Sequence, residues 1–188
     1  MKKYEFTGET KRVELWNRTA TLHRIKATVE FGFVKVGELG GWIEKEENLS
    51  HEGKAWVCGD AEVCDDAKVC DDAKVWGNAE VCGDAEVWGN AEVCDDAKVW
   101  GNAKVCGDAK VFLASHVLVM GSVGSRNDFT TFFRDKDNEI TVKCGCFLGK
   151  IDKFLEKVTQ THGNNKYALV YRAAVEVAKL QIELTERK

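Results

Sequence analysis

The sequence predicts a mainly β protein, in which a solenoid of short parallel strands carries an N-terminal β cap and a C-terminal module of one hairpin and two helices. Three observations lead to this architecture. From Ala55 to Ala114 the chain consists of ten six-residue units without an insertion. Alanine fills the first place of every unit and valine the third, which is the two-residue period of a strand. Proline is absent, so no residue of the repeat lacks a backbone N–H for a β-ladder.

Length and charge narrow the class of protein. A chain of 188 residues forms one domain or two small ones. The net charge of −4, with no cationic cluster, argues against binding to a nucleic-acid polymer. No apolar stretch approaches the roughly 20 residues that span a bilayer. The start MKKYEFTGET lacks the apolar segment of a signal peptide, and we therefore expect a cytoplasmic protein with no membrane partner.

The eight cysteines suggest at first a secreted, disulfide-bonded protein. Their spacing favours reduced thiols at a repeat position, because six of them lie at multiples of six residues from one another: Cys58, Cys64, Cys70, Cys82, Cys94 and Cys106. Cys58, Cys64 and Cys70 lie in consecutive units and point to three different faces, so these three thiols cannot meet on one metal ion within a chain. The four histidines stand in four separate contexts, and Cys144 with Cys146 is only half of a zinc site. We predict no metal and no cofactor.

The repeat resembles that of the hexapeptide-repeat proteins, in which three units make one triangular coil of a left-handed parallel β-helix. The resemblance covers Ala55 to Ala114. It rests on the valine position, as at Val57, and on the small residue four places later, as at Ala61. Membership of this group implies a left-handed coil and, because such proteins are commonly homotrimers, self-association.

Three units per coil would stack residues 18 apart, about 4.8 Å from one coil to the next. The outward column Lys68, Glu86 and Lys104 alternates in sign, as this stacking favours, because like charges one strand apart are costly. The place after valine carries Cys, Trp or Phe and points away from the interior. Exposed apolar strips at this place predict a self-association surface. Their columns begin Cys58–Trp76–Cys94–Phe112, Cys64–Cys82–Trp100 and Cys70–Trp88–Cys106.

Residues 1–54 predict an N-terminal β cap, which an open solenoid edge requires. Val57 follows Leu49 by eight residues instead of six, so the first coil is expected to be irregular. The solenoid is assigned to residues 55–120, with Ser115 to Met120 as a degenerate eleventh unit. Within the cap, short strands are predicted at Tyr4 to Thr7, Ala20 to Thr28 and Phe31 to Val36.

Residues 121–188 change in composition and predict a separate α+β module. A hairpin is expected in FTTFFR-DKDN-EITVKCGCF, with its turn at Asp135 to Asn138. Two helices follow, at about Ile151 to Thr161 and about Asn165 to Glu183, separated by a break whose asparagines suit an N-cap. The apolar period places on the buried face of the second helix Leu169, Ala173, Val177 and Leu180.

Several segments outside the repeat carry a second resemblance. They are LHRIKA from Leu22, GELGGWIEKEENLS from Gly37, GSRND from Gly124, CGCFLGKIDKF from Cys144 and THG from Thr161. Together they make nearly the whole chain similar to uncharacterised phage and prophage hexapeptide-repeat proteins of bacteria. The resemblance implies the fold and a bacterial host cell, and it implies no activity.

The candidate ligand site lies where the solenoid passes into the C-terminal module. Arg126 can present a two-pronged donor to a carboxylate or phosphate, and Ser125 and Asp128 can fix it or take a ribose hydroxyl. An equally simple interpretation is that Arg126 pairs with Asp128 and caps the coil. If the hairpin folds back on the helices, the site gains Phe132, Arg134, Lys143, His162 and Tyr167.

These residues predict a non-enzymatic, homotrimeric phage-type accessory protein that binds and sequesters a small anionic ligand. A nucleotide immune signal of the host is the sharpest version of this anti-defence hypothesis. Arg126 and Lys143 would hold phosphate, and Phe132 or Tyr167 would stack on a base.

Two alternatives stay open. The family resemblance includes hexapeptide acyltransferases, which use a histidine as general base, and His116 is the candidate because it is the histidine that the repeat carries. A protein-interaction scaffold would instead grip a partner through Trp76, Trp88 and Trp100.

Overall fold

A parallel β-solenoid of about four turns forms the centre of the protein, in a computed structural model that describes residues 2–15 and 17–184. An antiparallel N-terminal hairpin precedes the solenoid, and a four-stranded sheet with two helices follows it. The mainly β architecture is as predicted. Among the helices in the described ranges, none is long and apolar enough to cross a membrane.

Ten short strands, one in each six-residue unit, build the solenoid. Val57 pairs with Val75, Val75 with Val93, and Val93 with Val111, all in parallel. The predicted 18-residue stacking is therefore confirmed. The strands are β4 (Trp56–Val57), β5 (Glu62–Val63), β6 (Lys68–Val69), β7 (Lys74–Val75), β8 (Glu80–Val81), β9 (Glu86–Val87), β10 (Glu92–Asp96), β11 (Lys98–Val99), β12 (Lys104–Val105) and β13 (Lys110–Leu113).

The repeated alanines and valines fill the interior and are almost completely buried. Each coil turns at a corner in the left-handed backbone region, where the sequence places glycine or aspartate. Asp65 and Asp71 tolerate this conformation and use it, because their carboxylates accept hydrogen bonds from the N–H groups of Gly83 and Gly89 one coil further, at 3.2 and 3.1 Å. The corners therefore tie successive coils together.

Outward charges form ladders from coil to coil. Lys104 lies 3.5 Å from Glu86. In another column Glu62 stacks directly beside Glu80, a like-charged pair that the repeat alone does not explain. Lys11 of the N-terminal hairpin lies 2.7 Å from Glu62 and supplies the missing counter-charge.

The N-terminal cap consists of β1 (Tyr4–Glu14), β2 (Thr19–Ala27) and β3 (Leu39–Ile43). β3 pairs in parallel with β5, and Ile43 lies opposite Val63, twenty residues further along the chain. The expected irregular first coil is thus confirmed. The predicted third strand at Phe31 to Val36 is wrong, since this segment forms only an isolated bridge between Phe31 and Val34.

The hairpin of β1 and β2 folds over the outside of the solenoid. Ala20 and Leu22 pack against Cys64, and Arg18 binds the carboxylates of Glu44 and Asp65. The expectation of exposed thiol and tryptophan strips is therefore confirmed only in part, because Cys64, Cys94 and Cys106 are buried.

The three strips are covered to different extents. Cys94 and Cys106 are buried as well as Cys64, whereas Trp76 and Trp88 are half-buried. Trp100 keeps 51% of its surface exposed.

Cys64 and Cys82 form a disulfide bond, with 4.8 Å between their Cα atoms. The prediction that these cysteines are reduced is therefore wrong for this pair. The reason is the stacking itself, because residues 18 apart lie on adjacent coils at a Cα separation that a disulfide accepts. The repeat spacing that argued against staples places two thiols side by side.

The C-terminal sheet contains β14 (Val117–Val123), β15 (Asp128–Arg134), β16 (Ile140–Cys144) and β17 (Phe147–Lys150), in that order. The predicted hairpin is confirmed as β15 and β16, within a larger sheet. β14 pairs with β15, so residues Ser115 to Met120 do not form an eleventh unit. The sheet closes the end of the solenoid, where the Thr131 hydroxyl accepts a hydrogen bond from the Lys104 N–H at 2.9 Å and Phe133 enters the solenoid core.

Two helices, α1 (Ile151–His162) and α2 (Lys166–Gln181), pack on the other face of this sheet. The Asn165 side chain caps α2, as expected. The predicted buried face of α2 is wrong: Leu169 is 59% exposed and Leu180 is 90% exposed. α2 carries apolar residues on two sides, and the side that packs inward contains Tyr171 and the small Ala174 and Ala178, which permit a close approach. The predicted module ended at Lys188, and residues 185–188 lie outside the described residues.

Candidate functional site

A cavity of about 360 Å³ lies in the C-terminal module. The loop between β14 and β15, the turn between β16 and β17, and one face of α1 enclose it, with Tyr171 of α2. Its lining combines basic, aromatic and thiol side chains. The lining residues are Ser125, Arg126, Asp128, Cys144, Gly145, Cys146, Phe147, Phe154, Lys157, Val158, Thr161, His162 and Tyr171.

The loop that carries Ser125 and Arg126 rests on Tyr171. Gly124, at the start of this loop, has a φ of +75°, and a Cβ atom there would lie 1.9 Å from the Tyr171 hydroxyl oxygen. A side chain at this position would therefore displace either the loop or the tyrosine. Glycine allows the backbone to approach Tyr171 and hence places the following residues at the cavity.

Arg126 lies over the turn between β16 and β17. A Cβ atom at Gly145 would come within 3.3 Å of the Arg126 Nη1, so the glycine makes room for the guanidinium. Within the described residues Arg126 has no hydrogen-bond or ion-pair partner. The alternative role, an ion pair with Asp128 that caps the coil, is thus not formed, and the guanidinium is available to a ligand.

The floor of the cavity contains a short polar chain. The Thr130 hydroxyl donates to the Cys144 sulfur at 3.2 Å, and the Cys144 thiol lies 3.9 Å from the Tyr171 hydroxyl. Burial, together with the neighbouring Cys144, raises the pKa of Tyr171 to about 12. A tyrosine is already protonated at neutral pH, and the raised pKa keeps the phenol protonated further into the alkaline range.

One face of α1 supplies the other side of the cavity. Phe154 and Val158 are buried there, and Lys157 reaches the cavity with no ion-pair partner in the described part of the chain. His162, at the end of the helix, stacks on Tyr171 with 5.9 Å between ring centroids. Sequence reasoning overlooked Lys157 and Thr161, although each follows a buried apolar residue of the first predicted helix, Phe154 or Val158, by three places and so lies beside it on the helix surface.

Four of the predicted site residues line the cavity: Ser125, Arg126, Asp128 and His162. Tyr167 lies beside it, with its ring 5.8 Å from His162. Lys143 lies behind the cavity, because adjacent residues of a strand point to opposite faces and Cys144 takes the inner one. Its Nζ donates to the Gly145 carbonyl at 2.6 Å and lies over the Trp88 ring, so Lys143 supports the turn beneath Arg126.

The structure does not bring Phe132 or Arg134 to the cavity. Phe132 is fully buried against Phe154 in the core between sheet and helices and has no exposed ring face for a base. Arg134 is buried at the other end of β15, where it donates to the Asn138 side chain at 2.8 Å and to the Lys110 carbonyl. Both side chains stabilise the module and its contact with the solenoid.

His116, the candidate general base, also lies away from the cavity. It is almost completely buried in the turn after β13, and its Nδ1 accepts a hydrogen bond from the Phe112 N–H at 3.2 Å. His116 is thus buried in the turn that follows the last coil and does not point outward from an eleventh unit. The structure does not favour its use as a general base.

Compared with known proteins, the chain matches no protein-family model and no curated protein.

Proposed function

We propose that the protein is a non-enzymatic binding protein that holds and sequesters a small anionic ligand in the cavity of the C-terminal module. The observation that carries this proposal is the convergence of Arg126, Lys157 and His162 on one cavity. Asp128 is the single carboxylate among the described lining residues, so the cationic groups exceed it. Guanidinium and ammonium groups without a protein counter-charge are the usual ligands of phosphate and carboxylate.

A nucleotide signal of host immunity is the biological ligand that we favour, which would make the protein an anti-defence factor. Aromatic side chains beside the basic groups support this version, because rings stack on bases without regard to sequence. The phage origin and the cytoplasm of a bacterial host as its location rest on the sequence resemblance alone.

The finer description of the fold is part of the same proposal. We assign the solenoid to the left-handed hexapeptide-repeat type on the basis of the resemblance of its repeat to that family; the left hand is what the resemblance implies. We also propose a homotrimer, in which α2 contacts further copies of the chain. Val170, Ala173, Val177 and Leu180 support this contact, since they follow the three-and-four spacing of helix-pairing seams and lie on the exposed side of α2. Light scattering would show a trimer, and Leu180→Glu would yield monomers.

Titration calorimetry with a panel of anions tests the ligand proposal. The panel contains inorganic phosphate, mononucleotides, cyclic dinucleotides and ADP-ribose. We expect micromolar binding of at least one nucleotide and a loss of about tenfold or more in affinity for Arg126→Gln. Arg12→Gln, an exposed arginine on β1, serves as the matched control and should bind as the parent does. Failure of every anion to bind at micromolar concentration would overturn the proposal.

The two alternative functions have their own readouts. Turnover of acetyl-coenzyme A that His116→Ala abolishes would support an acyltransferase. Release of a bound protein by replacement of Trp100, which is more exposed than Trp76 and Trp88, would support a scaffold.

A further inference from the structure

We propose that the ligand has the size of a mononucleotide, with one phosphate or carboxylate group joined to a single flat aromatic ring system. The inference rests on the proposed function and narrows it. Three features of the cavity carry it: the volume, the balance of charge, and the position of the ring surface that remains open.

The volume limits the ligand. Small-molecule pockets in proteins range from about 300 to 1,000 Å³. The cavity here, about 360 Å³, lies near the lower end of that range. A cyclic dinucleotide contains two bases, two sugars and two phosphates, and therefore about twice the atoms of a mononucleotide. A molecule of half that size is the better match to a cavity near the lower end of the range, and the second half of a cyclic dinucleotide would extend beyond it.

The charges limit the number of anionic groups. Arg126 and Lys157 are two permanent cations, and Asp128 offsets one of them. A single terminal phosphate, which carries about −1.5 to −2 at neutral pH, already matches the two cations, and a single carboxylate balances the charge that Asp128 leaves. A second phosphate would meet Asp128, and the described lining offers it no further permanent cation. Asp128 is better suited to accept a hydrogen bond from a ligand hydroxyl.

The open ring surface fixes where an aromatic group binds. Phe154 and Tyr171 form a wall, with their centroids 5.5 Å apart and their planes nearly perpendicular, and both are almost completely buried. Phe147 is only half-buried and packs on Phe154 at a centroid distance of 5.3 Å. His162 is also half-buried, but one of its faces already stacks on Tyr171. Phe147 is therefore the lining ring that is best placed to stack on a ligand ring.

The test compares four probes by calorimetry on the full chain: adenosine 5′-monophosphate, inorganic phosphate, adenosine and a cyclic dinucleotide. We expect the monophosphate to bind at least about tenfold more tightly than phosphate or adenosine, because only it engages both the cations and the ring. We expect the cyclic dinucleotide to bind more weakly than the monophosphate.

The Phe147→Ala variant isolates stacking from charge. It should lower the affinity for the monophosphate by about tenfold and leave that for inorganic phosphate unchanged. Phe147→Leu keeps an apolar side chain at the site but also loses the stacking. Its affinity for the monophosphate replaces that of the alanine variant if the alanine variant folds poorly. Phe33→Ala removes an exposed ring from the N-terminal cap, outside the cavity lining, and should change neither the affinity for the monophosphate nor that for phosphate.

The outcomes separate this inference from the function on which it depends. If inorganic phosphate binds as tightly as the monophosphate, the cavity holds anions and the aromatic part of the inference is overturned. If the cyclic dinucleotide binds more tightly than the monophosphate, the size limit is overturned. If the monophosphate does not bind but ADP-ribose does, the inference is overturned and the proposed function stands. If no anion of the wider panel binds, the proposed function itself fails.

Discussion

The solenoid and the C-terminal module both bury apolar surface, but the composition of their cores is opposite in kind. In the solenoid the same alanine and valine positions recur in every coil, and they fill the interior completely. In the module each apolar residue occurs once, and rings of different shape meet at varied angles around a cavity. Repetition therefore yields a continuous core of identical contacts, whereas a non-repeating core supplies the irregular surface that a ligand site needs.

The two regions also use charge differently. In the solenoid, Lys98 and Glu80 on adjacent coils pair at 3.1 Å, so the cation is neutralised by its neighbour. In the module Arg126 and Lys157 face a cavity without such partners in the described chain. Neutralised charges keep coils in register, and unneutralised charges attract a ligand.

The largest expected effect breaks the solenoid core. Val87→Asp would place a carboxylate in the fully buried stack, where nothing polar can pair with it. We expect the free energy of unfolding to fall by more than about 4 kcal/mol, measured by urea denaturation. Lys68→Ala, one coil below on the outside, should change it by less than about 0.5 kcal/mol. Similar losses for both variants would show that the coils do not depend on their interior.

A smaller effect is expected at the junction of the two regions. The buried carboxylate of Asp135 accepts hydrogen bonds from the N–H groups of Asp137 and Glu139 at 3.0 and 3.2 Å and from the Thr141 hydroxyl, and it contacts the Lys150 ammonium. Asp135→Ala leaves these donors unsatisfied and should cost about 2 to 3 kcal/mol of unfolding free energy.

Limited proteolysis would show which region opens in that variant. The module should be cleaved before the solenoid, since Asp135 orders the β15–β16 turn that docks on the last coil. Asp137→Ala, at an exposed position of the same turn, is the control. Earlier cleavage of the solenoid would contradict this division into a rigid support and a separately opening module.

The smallest effect concerns the pH dependence of the solenoid. Burial raises the pKa of the Cys94 thiol to about 12. Above pH 9 the unfolded chain releases this proton while the folded chain retains it, so the contribution of Cys94 to stability is complete below pH 9 and is lost as the pH rises toward 12. Urea denaturation at pH 8 and pH 10.5 should show a smaller alkaline loss for Cys94→Ala than for the parent. An equal loss of unfolding free energy in both proteins would show that the Cys94 thiol does not contribute to the pH dependence.

Different parts of this molecule were predictable from sequence to different degrees. The 18-residue stacking of Val57, Val75 and Val93 followed from the repeat, because each unit offers the same strand and corner. The disulfide between Cys64 and Cys82 followed from the same stacking, but we interpreted the spacing as evidence against it. The cover that the N-terminal hairpin places over these residues has no signature in the repeat.

The candidate site was predictable only in part. Ser125, Arg126 and Asp128 are neighbours in sequence, and a short polar segment between two regions was sufficient to single them out. Lys157 and Tyr171 come from different helices and meet the loop only through the packing of the module. The inward face of α2 could not be chosen from its apolar period, because both sides of that helix are apolar.

The sequence by itself determined the solenoid, its corner residues and its register. In a repeat, every unit has the same preference for strand and turn, and all units favour the same structure. Only the tertiary structure decided which strips are covered, which face of α2 turns inward and which basic side chains share a cavity. Those outcomes depend on single contacts between distant segments, such as Gly124 on Tyr171 and Gly145 beneath Arg126. Neither contact leaves a periodic trace in the chain.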